Sequence, residues 1–542
     1  MKKYILAIIT IASLMSAKAQ TLEEALKAED FDKYETARNI LLQVISKEPN
    51  KGENYYYLGQ IYGSLFKPDS ALWAFNTGVK NNPTSPACYA GLGGLLMEEN
   101  KVTDAKVQFD RALSFSKQRN GTYNDVKALV WVAENMIASE NKLVADAEAL
   151  MRNALEVDKS NYDVLVTMGD VFLEINNGGE AANNYERAID LQKTNPKAYA
   201  RVANIWVKVR NIEAAQKDLN RALSIDPNYA PALKLQAELY YQQRKFDKAK
   251  ETYKSYLLNS EASFANRLRF AQILFRAKEY DEALIQIEEL QKTDKSNLFL
   301  YRMLAYSYFE VGGLKNDTSK CRTGLTALEY FMSKVDEKKI LTSDYEYMGK
   351  LQSKLKGYDT LAINNFKKVL SLDADKLEMY QELAKVYNKM KRFDEAANNL
   401  QIFIASSKKV TVADYFLLAK AYYFGKKFVS ADSAFSIVNT KSPNYADAFY
   451  YRGMSQASIN TDLNDTLGKF CFEKYLSLIN INDPAVAEKQ KNNIIQAYDY
   501  LGSYCYKNSA KGEERNCKTY FEKILIFEPG NKKAAEFVKT IK

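Results

Sequence analysis

Residues 54–83 read NYYYLGQIYGSLFKPDSALWAFNTGVKNNP, and the fold is decided there. Tyr55, Leu58, Gly59 and Tyr62 fall three or four apart, which puts them on one face of a helix. Ala71, Phe75 and Gly78 do the same further along, and Pro83 closes the stretch. Two amphipathic helices joined by a short turn follow. Their small residues let the pair approach closely, and their large ones fill the gap to a neighbouring pair. That neighbour is present in the sequence at a step of 34: Tyr55 to Tyr89, Leu58 to Leu92, Gly59 to Gly93, Phe75 to Phe109, Pro49 to Pro83. Ala37, Ala71 and Ala105 keep the same step, as do Ala181, Ala215, Ala249 and Ala283. A fixed period of this length is the mark of a helix–turn–helix solenoid.

Later copies carry the same residues. One has Tyr199, Val202, Ala203, Trp206, Ala215, Leu219, Ala222 and Pro227. Another has Tyr415, Leu418, Ala419, Tyr422, Phe428, Ala431, Phe435 and Pro443. Anchors of the second helix count out at Ala37, Ala71, Ala105, Ala147, Ala181, Ala215, Ala249, Ala283, Ala327, Ala362, Ala396, Ala431, Gly468 and Cys517. These residues resemble the tetratricopeptide repeat family over essentially all of residues 20–542. The resemblance implies an all-α fold, an α-solenoid superhelix of about fourteen TPR units, with Lys532 to Ile541 as a solvating C-terminal cap helix. Register breaks are expected near 117–127, 312–322, 460–468 and 480–516, where the anchor spacing departs from 34.

Residues 1–19 stand apart from the array. Lys2 and Lys3 precede an apolar run from Tyr4 to Leu14, and Ala17-Lys18-Ala19 offers a small-residue cleavage site before Gln20. This order is that of a secretory signal peptide, with a run about half the ~20 residues a membrane span needs, the alternative being an uncleaved N-terminal anchor. No other stretch is apolar enough to span. Setting the segment aside lowers the formal charge from +9 to +6, spread among interleaved acids and bases. No basic run or tail gathers on one face, so nucleic acid is not an expected partner.

The chain contains no histidine, which removes the usual general base, the Ser-His and Cys-His pairs and the commonest metal ligand. Gly91 to Gly94 lie inside a first helix, not after a strand, and read as packing residues rather than a phosphate loop. Asp462, Asn464 and Glu473 have calcium-loop offsets, but Leu467 stands where the turn glycine is needed. No enzyme, cofactor or metal is expected. Among five cysteines, Cys505 at the end of one helix and Cys517 near the start of the next can be brought side by side by a hairpin. Cys88 reads as packing, and Cys321 and Cys471 are too far apart to pair.

In the resembling family the first helices line a concave groove, which is the expected binding surface. Family inward positions fall here on Tyr241, Phe275, Arg276, Phe299, Arg302, Tyr306 and Phe309, and again on Phe416, Lys420, Tyr423, Phe424 and Tyr450. Aromatics beside Arg are what binding hot spots use. A polar patch of Lys197, Asn204, Lys208 and Lys234 lacks the base needed at Ala200 for the carboxylate clamp of some family members. The chain is similar to exported repeat proteins of Bacteroidetes-type bacteria. The expected function is therefore a non-enzymatic protein- or peptide-binding scaffold of the cell envelope, periplasmic or outer-membrane-associated. Secretion, motility or outer-membrane assembly are the processes that analogy suggests. The alternative is an accessory role in polysaccharide export or glycan binding, for which three tryptophans are few.

Overall fold

The structure, a computed structural model, describes residues 20–313, 315–509 and 515–541. The proposed signal segment lies outside them. Among the described residues there are twenty-nine α-helices, arranged as fourteen antiparallel pairs and a last single helix, Lys532–Thr540. The chain divides into two compact units at Gln286/Ile287. Within each unit, successive first helices touch: Gly52–Ser64 on Pro86–Glu98, that on Val126–Ile137, and in the second unit Val412–Phe424 on Ala446–Ile459. First helices therefore form the inner side of each curve.

The sequence period becomes packing at two points in each pair. Ala37, Ala71, Ala105, Ala147, Ala181, Ala215, Ala249, Ala283, Ala362, Ala396 and Ala431 are fully buried. Opposite them, a glycine in the first helix accepts an aromatic ring from the second. A Cβ on Gly59 would stand 2.1 Å from the Phe75 ring, on Gly93 2.3 Å from Phe109, and on Gly169 2.4 Å from Tyr185. Where alanine replaces that glycine, as at Ala203, the partner can be the smaller Leu219. The fourth pair has Asn135 in this place. Its amide is used in full: Nδ2 donates to Tyr56 Oη (3.1 Å) and Trp131 O (2.8 Å), and Oδ1 accepts from Gln60 (3.1 Å). Likewise Gly468 replaces alanine because Tyr500 Oη would lie 2.4 Å from a Cβ there.

The turn inside each pair has its own signature. Asp32, Phe66, Asn100, Asn176, Arg210, Arg244, Lys278, Lys391, Lys426 and Leu463 all have φ near +60°, each five residues before an anchor. Gly357 fills the same place with φ +86°. A residue in the left-handed region ends a helix by letting the next amides bond back to its last carbonyls.

Departures from the period have local causes. Residues 117–123 form a tight loop closed by an isolated bridge between Lys117 and Tyr123. A π-turn, Phe309–Gly313, extends the helix Leu298–Tyr308 before the unusually long Thr318–Lys334. Towards the end, Pro484–Asn508 runs to 25 residues. Cys505 and Cys517 are joined by a disulfide, Cα–Cα 5.4 Å, while Cys88, Cys321 and Cys471 are buried thiols. No described helix is long and apolar enough to cross a membrane.

Candidate binding surfaces

The residues expected to line the groove divide into those the fold consumes and those it leaves available. Arg302 is consumed. Its Nε and Nη2 donate to the two carboxylate oxygens of Asp344 (2.9 and 2.8 Å), and Nη2 also donates to Lys339 O (2.6 Å). Asp344 has no solvent exposure and also accepts from Leu341 N (2.7 Å) and from Tyr306 Oη (2.7 Å). Tyr306 stacks on Tyr347 with centroids 3.9 Å apart, and burial beside Asp344 pushes its hydroxyl well above the usual phenol range. Phe309 is 8% exposed, edge-on to the same Tyr347. The expectation of a free aromatic groove is therefore corrected for Arg302, Tyr306 and Phe309. They are a polar and aromatic rivet between consecutive pairs.

Tyr450 is corrected too. At 5% exposure it donates its hydroxyl to Gln496 and packs on Tyr475 (5.3 Å), because the long helix Pro484–Asn508 passes over it. Tyr241 is half-buried beneath the Arg269 guanidinium (4.1 Å), which itself forks onto Glu238. Phe275 is half-buried against Tyr280 (5.2 Å). Arg276 is exposed, and Phe299 is 46% exposed.

Phe416, Lys420, Tyr423 and Phe424 remain available. They share one face of the helix Val412–Phe424 with Tyr451 from the next first helix. Lys420 Nζ lies 5.7 Å from the Phe416 and Phe424 rings and 5.2 Å from that of Tyr451. The rings touch one another, Phe416–Tyr445 at 4.7 Å and Tyr423–Tyr451 at 5.4 Å, so the platform is rigid. Phe424 is 45% exposed. Among the described residues no carboxylate forms an ion pair with Lys420. The platform offers apolar rings around one uncompensated ammonium group.

The inner side of the first unit is different in character. Glu29, Asp30, Glu134 and Asp170 face one another with Lys197 and Arg201 among them. Glu134 is exposed to solvent at its surface but lies among the protein groups that ring this side. Desolvation pushes both Glu29 and Glu134 up to about 7, with Lys197 opposing. Lys234, from the sequence's polar patch, faces Asp32 at 3.7 Å. Lys197 and Lys234 of that patch are thus matched from within, whereas Lys208 is exposed. Trp131 is buried, whereas Trp73 is 53% exposed on a second helix.

Asp344 and Asp414 are not singled out by the repeat pattern. Both stand at the third position of a first helix, accept from the residue before it, and are gripped by a side chain of the preceding first helix, Arg302 or Gln381. The Thr411-x-x-Asp414 capping signature was the available signal.

A family model, anaphase-promoting complex (cyclosome) subunit 3, matches residues 208–290. Solved structures similar to this chain include the C-terminal part of a TPR repeat-containing protein from Cytophaga hutchinsonii, 27% identical, covering 50% of this chain and 99% of that one with a TM-score of 0.41. A tetratricopeptide repeat protein from Parabacteroides merdae is 21% identical over 48% of this chain and 98% of its own, TM-score 0.32. YrrB, described as a TPR protein with an unusual peptide-binding site, is 16% identical over 36% and 95%, TM-score 0.23. Paired helices on a 34-residue step, closed by buried alanines and glycine–aromatic joints, make the chain an α-solenoid of tetratricopeptide-type repeats, the arrangement its sequence resembles.

Proposed function

We propose that the chain is a protein-binding scaffold of the bacterial cell envelope and that the platform around Lys420 is one of its contact surfaces. Tetratricopeptide repeats generally mediate protein or peptide binding. The observation that carries the reading is the contrast between Arg302, fully engaged by Asp344, and Lys420, ringed by aromatics without a carboxylate. Such a platform suits a peptide segment that brings a carboxylate beside an apolar side chain: rings supply buried area, and the ammonium fixes orientation. Export is supported by the Lys–apolar–Ala-x-Ala order of residues 1–19 and by a disulfide, a bond that persists in oxidising compartments. Secretion, motility and outer-membrane assembly are the envelope processes proposed for it.

The test places a photo-crosslinking amino acid at Phe424 in living cells, with and without Lys420→Glu. The reading expects a defined crosslinked protein that Lys420→Glu abolishes while the melting temperature stays unchanged. A crosslinking pattern indifferent to Lys420→Glu would remove the platform from the binding surface. Amino-terminal sequencing of the mature chain addresses export separately, with Gln20 as the expected first residue or its cyclised, blocked form.

A further inference from the structure

The helix Tyr34–Lys47 begins without a cap of its own, since its N-cap residue Lys33 makes no side-chain hydrogen bond to it. The cap is supplied from far along the chain. The Glu261 carboxylate accepts from Glu35 N (2.7 Å), Thr36 N (2.8 Å) and Thr36 Oγ1 (2.9 Å), across more than 220 residues of sequence. A carboxylate at a helix start satisfies amides that otherwise lack partners and meets the positive end of the helix dipole.

The rest of the seam surrounds this cap. Phe31 meets Tyr229 edge-on at 5.6 Å, and Asp30 accepts from Tyr229 Oη (3.2 Å). Asp32, at the left-handed turn position, accepts from Tyr256 Oη (2.9 Å) and faces Lys234, while its carbonyl accepts from Glu261 N (3.3 Å). Asn266 Nδ2 donates to Tyr256 Oη (2.7 Å) and fixes that hydroxyl. Everything on one side of the seam is a single turn, residues 30–36. Everything on the other belongs to the helices Ala230–Gln242 and Phe246–Asn259 and to the segment from Tyr229 to Asn266 around them.

Two features separate this contact from the joints between consecutive pairs. The joints are closed by fully buried alanines and aromatics on both sides, whereas the seam sets a partly exposed turn, Phe31 to Thr36, against the buried rings of Tyr229 and Tyr256 and holds it mainly by hydrogen bonds. Moreover, the first hairpin is independently held to the second by Ala25, Ala37, Leu41, Leu58 and Ile61. The seam can therefore part without unfolding the hairpin that carries it. Polar, partly exposed contacts occupy the low end of local stability.

We propose that residues 30–36 are a latch that closes the first unit on itself, and that release of the Glu261 cap opens its inner side, where Glu134, Lys197 and Arg201 stand. Water already reaches that side, where the Arg201 side chain is 43% exposed, so the latch governs entry of a partner segment, whereas the Lys420 platform stands open to one.

The test uses the full chain with Glu261→Ala, Glu261→Gln and Phe31→Ala. Amide exchange at Glu35 and Thr36 should accelerate by roughly fivefold or more in Glu261→Ala, the size of effect a lost cap produces, and by less in Glu261→Gln. Labelling of the half-buried Lys197 by an amine-reactive ester, followed by mass spectrometry, should rise severalfold in Glu261→Ala and Phe31→Ala. Exchange within residues 126–157 should stay unchanged. Faster amides with unaltered lysine labelling would reduce Glu261 to a cap and overturn the latch. Faster exchange throughout the first unit in all three variants would make the seam part of the core, and the latch would fall equally.

Discussion

The two units are built from the same pair of helices yet are secured by different means. The second is riveted between near neighbours: Arg302 to Asp344, 42 residues apart, and Cys505 to Cys517, 12 apart. The first also carries contacts at separations of 199 and more, from Asp30–Tyr229 to Thr36–Glu261. Nearest-neighbour packing repeats, so it leaves a periodic trace in the sequence. Closure happens once and leaves none. The rivet at Asp344 buries its charge completely, whereas the seam's charged groups, Asp32 and Glu261, keep part of their surface in water. The comparison predicts large, cooperative losses on cutting the rivets and small, local ones on cutting the seam.

The largest effect should come from Asp344→Ala. It strands the Arg302 guanidinium beside Phe331 and removes the nearer of the two acceptors of Tyr306, and breaking a buried pair from one side typically costs ~3–5 kcal/mol. Phe309→Ala should cost a similar ~3–5 kcal/mol as a truncated buried aromatic. Denaturant melts monitored by exchange in residues 298–353 check both. A loss below about 1 kcal/mol in each, the scale of an ordinary surface change, would return these residues to the available surface. Cys505→Ser comes next. Releasing a short closed loop costs about 2–4 kcal/mol. Its effect should concentrate in Pro484–Asn508 and the last helices, and reducing agent should reproduce it in the unaltered chain.

These expectations mark what the sequence could and could not say. Most anchors were legible because those alanines meet the same surroundings, Ala215 and Ala396 being alike fully buried, but in the ninth pair Cys321, five residues after the left-handed Asn316, takes the place expected of Ala327. Groove residues were legible only where helix geometry stayed regular. At Phe309 the π-turn Phe309–Gly313 shifts the face by adding a residue to the turn, and a position that points inward in a regular helix becomes buried. At Tyr450 the helix itself is regular, but its cover is the lengthened Pro484–Asn508, which the period does not predict. Phe416 and Tyr423, flanked by regular pairs, kept accessible surface. Glu261 was invisible because its partner lies in another repeat by folding alone.

A titration separates the units next. Glu29 and Glu134 bind protons more readily folded than unfolded, since desolvation raises both to about 7. The folded state thus holds more protons between the usual carboxylate value and about 7, and stability of the first unit falls as pH rises through that window. Around them Asp30, Asp163 and Asp170 oppose ionisation and Lys197 favours it. The effect is moderated by the solvent that still reaches Glu134. Glu134→Gln should flatten the pH dependence of exchange in residues 126–208 while leaving that of residues 342–441 untouched. An unchanged slope in the first region would mean that its inner side is open to bulk water.

The smallest effect bears on what both units share, the left-handed turn residue. Lys278 and Lys426 adopt it with side chains that disfavour it, while Gly357 adopts it with open space around its missing Cβ. Two terms oppose each other in Lys278→Gly and Lys426→Gly. Relief of the left-handed strain is worth roughly 1–2 kcal/mol, and the extra freedom of glycine in the unfolded chain costs about 0.5–1 kcal/mol. The strain term is the larger, so each substitution should stabilise by about 0.5–1 kcal/mol. Asn176→Gly should do less, because asparagine tolerates this conformation through its short polar side chain. Gly357→Ala reverses the sign, and since no atom lies within 4 Å of the added methyl, its loss measures the backbone term alone. If Lys278→Gly stabilised the first unit by no more than Asn176→Gly, the turns would be held by contacts of the side chain rather than by the conformation. The period would then be enforced in the loops as firmly as it is in the helices.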